Sequence, residues 1–99
     1  MLRALDGVGG RIIGAVKTTR YFERNVLGDP ARGEITAEMC ERIVREEEDS
    51  EVQGNGLMRF WGYVSELEYY VRVITTGDRE WLVNAFKDRN YTRKARRSG

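Results

Sequence analysis

Apolar residues in two stretches of the first half of the chain recur with the period of a helix. The first predicted helix runs from Thr18 or Thr19, either of which can cap it, to Gly28, where Asp-Pro stops it. The second begins after Thr36, a good N-cap, and is ended by the acidic run "REEEDSE", because acids near a helix C-terminus are disfavoured by the dipole. Its apolar stripe, which we expect to be buried against a sheet, consists of Met39, Cys40, Ile43 and Val44.

The second half of the chain changes from the helical period to the alternation of strands. "EVQ" and "LMRFWGYV" flank "GNG", and Asn-Gly supplies the positive φ angles of a tight hairpin turn. "YYVRVITT" predicts a third strand, and "REWLVNAF", after a Gly-Asp turn, predicts a fourth. Two N-terminal helices followed by this meander predict an α+β fold, with the helices packed on one face of a four-stranded, mainly antiparallel sheet.

The alternation divides the side chains of the third predicted strand between two faces. Val71 and Val73 share one face, which we expect the helices to cover, and this leaves Arg72 on the open face. In the fourth strand, period two groups Asn84 with Leu82 and Phe86. The alternation alone does not decide which face of each neighbouring strand lies on the same side of the sheet as Arg72.

The length of 99 residues allows one hydrophobic core. We expect a loosely attached arm at residues 1–16, where glycines weaken any helix, a single α+β domain at residues 17–91 and a basic tail at residues 92–99. No stretch approaches the roughly 20 apolar residues needed to cross a bilayer, and the first residues lack a continuous signal core. The prediction is a cytoplasmic protein with no membrane partner.

Cysteine and histidine usage excludes several kinds of chemistry. With one cysteine and no histidine, the chain has no intramolecular disulfide, no structural zinc site and no Ser-His-Asp or Cys-His catalysis. Acid–base chemistry would require carboxylates, lysine, tyrosine or arginine, and no metal or cofactor is expected. Cys40 is predicted to be a small buried core residue.

The net charge of +1 conceals two blocks of opposite sign. Residues 34–51 contain eight acids and two bases, whereas residues 87–99 contain six bases and one acid. The acidic run can neutralise a basic partner, fold against the basic end of the chain or be a solvated helix end. The basic end can draw in a nucleic-acid backbone or keep the protein soluble.

The order of elements and the segment "MRFWGYVSELEYYVRVITTGDREWLVNAFKDRNY" resemble an uncharacterised branch of the RelE/ParE and BrnT-like bacterial toxin superfamily. The resemblance covers Thr18 to Tyr91. It implies two N-terminal helices on a curved antiparallel sheet. It also implies a toxin-like, metal-independent ribonuclease or RNA-binding protein, acting in some relatives on the ribosome and silenced by an antitoxin protein. Many members of the branch carry a histidine where this chain has Val83, so an imidazole role is absent.

The positions that match the family pattern are Arg59, Arg72, Asn84, Asp88 and Arg89. The resemblance implies that Arg59 and Arg72 hold the scissile phosphate and that Asp88 or Tyr91 moves a proton. We expect the side chains that bind substrate to be Asn84, Lys87, Arg89 and Arg93.

Other interpretations of the same residues stay open. Arg59 and Arg72 can be strand residues paired with Glu66, Glu68 or Glu80. Asp88 can cap a turn, and the aromatic residues of the strands can pack rather than stack on bases. The chain would then be a non-catalytic protein-interaction module, or a homodimer formed by pairing of exposed sheet edges.

Overall fold

The computed structural model of the chain describes residues 12–13 and 16–98, with side chains from residue 16 to residue 95. Most of the predicted arm at residues 1–16 therefore lies outside the described residues. The described part of that segment forms β1, Ile12–Ile13, and the start of β2, Val16–Thr18. Within the described ranges, no helix is long and apolar enough to span a membrane.

The predicted meander is confirmed as four consecutive antiparallel strands. The first two strands form the expected hairpin, and its turn residues Asn55 and Gly56 have φ angles of 41° and 80°. The strands of the meander are β3, Asp49–Gly54, β4, Leu57–Val64, β5, Tyr69–Thr76, and β6, Trp81–Lys87.

The fold is α+β as predicted, but the prediction of a four-stranded sheet is wrong because the sheet continues beyond β6. Among the described residues its order is β1-β2-β6-β5-β4-β3, and β2 runs parallel to β6. The Lys17 N–H donates to the Glu80 carbonyl over 2.8 Å, and the Thr19 N–H donates to the Leu82 carbonyl over 3.1 Å. β2 is too short to show an alternating pattern in the sequence. It is nevertheless held in the sheet because its backbone hydrogen-bonds to the edge of β6.

The first predicted helix is present but is not a regular α-helix throughout. It begins as α1, Arg20–Phe22, and continues directly as a π-helix, Glu23–Leu27. The Thr19 hydroxyl accepts the Phe22 N–H and donates to the Leu82 carbonyl over 2.9 Å, so the cap also fastens the helix to β6. A short 3₁₀ turn, Pro30–Arg32, follows.

The second predicted helix, α2, spans Ala37–Glu46. Its N-cap is Thr36, as expected, with the hydroxyl accepting the Met39 N–H over 3.1 Å. The helix ends at the acidic run, where Glu47 adopts a left-handed conformation with φ 47°. Cys40 is fully buried in the apolar stripe, in agreement with its predicted core role.

The basic end of the chain contains a further helix, α3, Arg89–Ser98, so the helices of this fold are not all N-terminal. The Asp88 carboxylate caps it by accepting the Tyr91 N–H over 3.0 Å. The Thr92 hydroxyl accepts the Tyr70 N–H over 2.8 Å and ties the helix to the start of β5. Thr92 is the first residue of the segment 92–99 that the sequence predicts as a basic tail.

The hydrophobic core lies between the helices α1 and α2 and one face of the sheet. The valine-rich face of β5 belongs to this core, as predicted, so Arg72 lies on the second face. A register shift opposite Ile74 and Thr75 makes Val83 an extra residue in β6 and turns Leu82 into the core, away from the face of Asn84 and Phe86. Core residues contributed by the sheet include Phe60, Val64, Val71, Val73, Leu82 and Ala85.

Gly62 on β4 gives a direct test of how closely α2 approaches the sheet. A Cβ atom at Gly62 would lie 2.7 Å from Cγ1 and 3.1 Å from Cγ2 of Ile43, and a β-branched side chain has little freedom to move aside. We expect Gly62→Ala to lower the free energy of unfolding by about 1–3 kcal/mol in urea denaturation.

Gly33→Ala is the matched control. A Cβ atom there would meet its nearest neighbour, the Pro30 carbonyl oxygen, at 3.4 Å, and the backbone is right-handed with φ −62°. Its effect should stay within about 0.5 kcal/mol. Equal losses from the two substitutions would contradict the close helix–sheet contact.

Candidate functional site

The strand register brings three of the predicted site residues to the same face of the sheet. Arg59, Ile74 and Asn84 are cross-strand neighbours on β4, β5 and β6. Trp61, Arg72 and Phe86 form the next row along the strands. Since paired residues point to the same side, Arg59, Arg72 and Asn84 all lie on the second face, opposite the helix-covered core.

Arg72 is held by an ion pair and by two aromatic rings. Its Nε and one terminal nitrogen each lie 3.2 Å from Oδ2 of Asp88. The guanidinium carbon is 5.8 Å from the Trp61 ring centroid and 4.7 Å from that of Phe86. These distances are typical of cation–π contacts. The rings of Trp61 and Phe86, the neighbours of Arg72 in its row, therefore hold the planar guanidinium in place.

Asp88 is the acid to which these groups converge, and it is only 8% exposed. The Trp61 indole N–H donates to Oδ2 over 3.0 Å, and the Tyr91 N–H donates to Oδ1. Burial works to raise the pKa of Asp88, but the hydrogen bonds from Trp61 and Tyr91 and the charge of Arg72 outweigh it, so the pKa is lowered. Asp88 is therefore an ionised structural acceptor at neutral pH.

Tyr91, the other residue assigned to proton transfer, is tied to β4 and β3. Its ring stacks on Trp61, with centroids 5.1 Å apart and planes 12° from parallel. Its hydroxyl donates to Oδ2 of Asp49 over 2.6 Å. Burial, followed by this hydrogen bond to a carboxylate, raises the pKa of Tyr91, so the phenol keeps its proton at neutral pH.

Arg59 lies farther along the same face, towards the outer strand β3. One terminal nitrogen is 3.8 Å from Oε2 of Glu51, and its buried Nε has no hydrogen-bond partner among the described residues. Within that part of the chain, Arg59 and Arg72 pair with Glu51 and Asp88, and the ion pairs anticipated with glutamates 66, 68 and 80 are not formed.

Two shallow cavities lie side by side along the C-terminal half of β6, and Phe86 lines both. We refer to them together as the β6 groove. The cavity on the second face has a volume of about 270 Å³ and is lined by Tyr21, Gln53, Leu57, Arg72, Ile74, Val83, Asn84 and Phe86. The cavity at the strand end has a volume of about 210 Å³ and is lined by Ala31, Arg32, Glu34, Ile35, Phe86, Lys87 and Arg89.

Arg32 joins the two halves of the groove and was missed by sequence reasoning. β2 pairs with Trp81 and Leu82, and among the described residues no strand pairs with the later residues of β6 on that side. Arg32 reaches this edge and donates to Oδ1 of Asn84 over 2.9 Å and to the Ala85 carbonyl over 3.3 Å. No local pattern signals a contact across more than fifty positions of the chain.

The other predicted binding residues divide between the groove and its surroundings. Lys87 forms an ion pair with Glu34 over 3.0 Å and lies 5.2 Å from the Tyr69 ring centroid. Arg89 lies 5.8 Å from the same centroid. Arg93 is exposed on α3 and donates to Asn90. Asn84, Arg72, Lys87 and Arg89 thus line the groove, whereas Arg59, Asp88, Tyr91 and Arg93 lie outside its lining.

More cations than acids line the groove. Its lining contains four cations, Arg32, Arg72, Lys87 and Arg89, and one carboxylate, Glu34. No cluster of three or more acids or thiols suited to a metal ion occurs in the described part of the chain. Burial raises the pKa of the Cys40 thiol, so Cys40 supplies no thiolate nucleophile. The arrangement is suited to anion binding.

Asp88→Asn tests whether this buried acid holds the site together. The substitution leaves the partly buried Arg72 without its counter-charge. We therefore expect it to lower the free energy of unfolding at pH 7 by about 1–3 kcal/mol. Because the folded pKa of Asp88 lies below the unfolded value of about 3.9, the ionised form stabilises the fold at neutral pH. This contribution is lost as the pH falls from about 4 towards the folded pKa. The difference in free energy of unfolding between the unsubstituted protein and the variant should therefore shrink in that range.

Glu66→Gln, which removes one acid from the exposed loop after β4, is the control for this prediction. Urea denaturation of both variants between neutral pH and pH 3 measures the effect. A deficit of Asp88→Asn that is unchanged over this range would contradict the assigned role.

Comparison of the chain with family models, with curated proteins and with solved structures finds no match. The resemblance to the RelE/ParE and BrnT-like superfamily therefore stays a prediction. Function has to be inferred from the shape, charge and hydrogen-bonding groups of the β6 groove and of the basic helix beside it.

Proposed function

We propose that the protein binds single-stranded RNA, with phosphates along the β6 groove and the exposed side of α3. The supporting observation is the lining of the groove, where four cations and one carboxylate surround Phe86. Two further carboxylates, Asp29 and Asp88, lie outside the lining and pair with Arg32 and Arg72. A polyanion gains from every cation that it neutralises, because condensed counterions are released. Arginine, which makes up three of the four cations, suits phosphate because its guanidinium can donate two parallel hydrogen bonds.

The helix α3 extends this positive surface. Arg89, Arg93 and Lys94 are exposed, and none of them forms an ion pair with a described carboxylate. The cap at Asp88 and the stacking of Tyr91 hold the helix against the sheet. Fixed cations lose less conformational entropy on binding than those of a loose tail, which favours an ordered phosphate-binding surface.

Pairing of two copies through the outer strand is less well supported. β3 forms that edge and exposes Val52, but Asp49 and Glu51 project from the same strand. Antiparallel pairing of two β3 strands would bring like charges together, and inward-facing or edge charges are a known means of preventing such pairing. The charge of the groove favours RNA over a second copy of the chain.

A ribonuclease activity, with silencing by an antitoxin, is a separate hypothesis that the resemblance motivates. In the folded chain Asp88 is engaged by Trp61 and Arg72, and the Tyr91 proton is engaged by Asp49. Neither residue is free to exchange a proton with a substrate in this arrangement. The proposed binding does not require the cleavage step.

Arg89→Ala tests the phosphate-binding role without weakening α3, because removing a positive charge from the first turn relieves its repulsion with the helix dipole. We expect the affinity for a labelled oligouridylate octamer, measured by fluorescence anisotropy, to fall. The slope of the logarithm of affinity against the logarithm of salt concentration should become shallower by about 0.7, the value for one phosphate contact on a single strand.

Arg45→Ala is the matched control, since Arg45 is an exposed helical arginine of α2 paired with Glu41. It makes the same change in net charge away from the groove. Octamer binding that is independent of salt, or lost equally in both variants, would refute the proposed function.

The cleavage hypothesis has its own test in the same samples. We expect the bound octamer to remain intact at neutral pH, because Asp88 is ionised and Tyr91 keeps its proton in a hydrogen bond. Gel analysis of end-labelled RNA measures this. Cleavage that disappears in Tyr91→Phe and Arg72→Ala would instead establish a ribonuclease that uses these residues.

A further inference from the structure

The cavity on the second face, at one end of the β6 groove, differs from the rest of the groove because its floor is apolar. Leu57, Ile74, Val83 and Phe86 line it, and Ile74 is only 6% exposed although it lies opposite the core. The volume of about 270 Å³ is just below the roughly 300 Å³ at which pockets for drug-sized ligands begin. A single planar ring fits this space better than a whole nucleotide or a larger cofactor.

Asn84 and Arg72 present hydrogen-bond donors to this cavity, whose lining also contains the amide of Gln53. Oδ1 of Asn84 already accepts from Arg32 and from the Ala85 N–H, which fixes the orientation of the amide. The Nδ2 group of Asn84 has no acceptor among the described residues. Arg72 uses Nε and one terminal nitrogen on Asp88, so its other terminal nitrogen is likewise without a described acceptor.

Tyr21 supplies an aromatic wall on the open side of the cavity. Its side chain is 54% exposed, and its ring makes no stacking or edge contact with another described ring. The adjacent Phe22 is fully buried, so the backbone that carries Tyr21 is anchored in the core. An exposed ring on a fixed helical turn is suited to stacking against a planar ligand.

We infer that this cavity binds one unstacked RNA base that carries carbonyl oxygens, uracil or guanine, between Tyr21 and the apolar floor. The inference rests on the proposed RNA binding and assigns the part of RNA that enters this end of the groove. Uracil presents two carbonyl oxygens, and guanine presents O6 and N7, to the donors of Asn84 and Arg72. Adenine has no carbonyl oxygen and presents one acceptor, N7, beside an amino donor, so it offers Asn84 and Arg72 fewer acceptors than uracil or guanine does.

The neighbouring cavity supports the same placement. Phe86 is shared by the two cavities, and the cations Lys87 and Arg89 line the other one. A strand whose phosphates follow these cations can turn one base over Phe86 into the apolar cavity. Stacking on aromatic side chains combined with a cationic path for the backbone is how single strands are usually bound.

The experiment compares three labelled octamers, an oligouridylate, an oligoadenylate and an abasic ribose phosphate, by fluorescence anisotropy at the same salt concentration. We expect the oligouridylate to bind about tenfold more tightly than the abasic octamer, in line with the stacking of a single base. Oligoadenylate should bind less tightly than oligouridylate. Tyr21→Ala should remove most of the preference for oligouridylate over the abasic octamer.

Tyr63→Ala is the matched control, because Tyr63 is a tyrosine of the same face that is 42% exposed and lies outside the cavity lining. It should retain the preference. Equal, salt-dependent binding of the oligouridylate and abasic octamers would overturn the base site and leave the proposed RNA binding standing. Equal binding of the uridine and adenine octamers would overturn recognition of the carbonyl groups, and no binding of any octamer would overturn both proposals.

Discussion

The buried carboxylate of Asp88 is the interaction on which the rest of the second face depends. It accepts hydrogen bonds from Trp61 of β4, from Arg72 of β5 and from the first turn of α3. Because a buried acid without partners is costly, these three donors must be in place together, and their positions become mutually dependent. One acid therefore sets the stacking of Trp61 on Tyr91, the contact of Arg72 with Phe86 and the attachment of the basic helix.

The β6 groove follows from a second constraint, the shortness of β2. A parallel neighbour along the whole of β6 would have covered its outer edge, but in the described part of the chain pairing on this side stops at Leu82. The unpaired Ala85 carbonyl is satisfied by Arg32, whose side chain also fixes Asn84. The same backbone requirement thus brings a cation and an oriented amide to the open edge, next to the face that Asp88 organises.

Most of the regular structure could be predicted from local sequence, because it depends on periodicity, caps and turn residues. Period two placed Val71 and Val73 in the core and Arg72 opposite, and Thr36 marked the start of α2. The bulge at Val83 was not predictable from alternation, since one extra residue reverses every assignment on one side of it. The contacts of Arg32 depend on tertiary packing between distant segments, so local patterns contain no information on them.

The two blocks of opposite charge in the sequence are joined by one ion pair among the described side chains, Lys87 with Glu34. The acids after α2 bind tyrosines and arginines of the sheet, with Glu48 accepting from Tyr70, Asp49 from Tyr91 and Glu47 from Arg79. These contacts use the negative block to position β3 and the aromatic residues of the second face. Since the exposed cations of α3, Arg89, Arg93 and Lys94, are left without described acidic partners, they stay available to an external anion. The acids after α2 thus stabilise the sheet, whereas the cations of α3 face solvent.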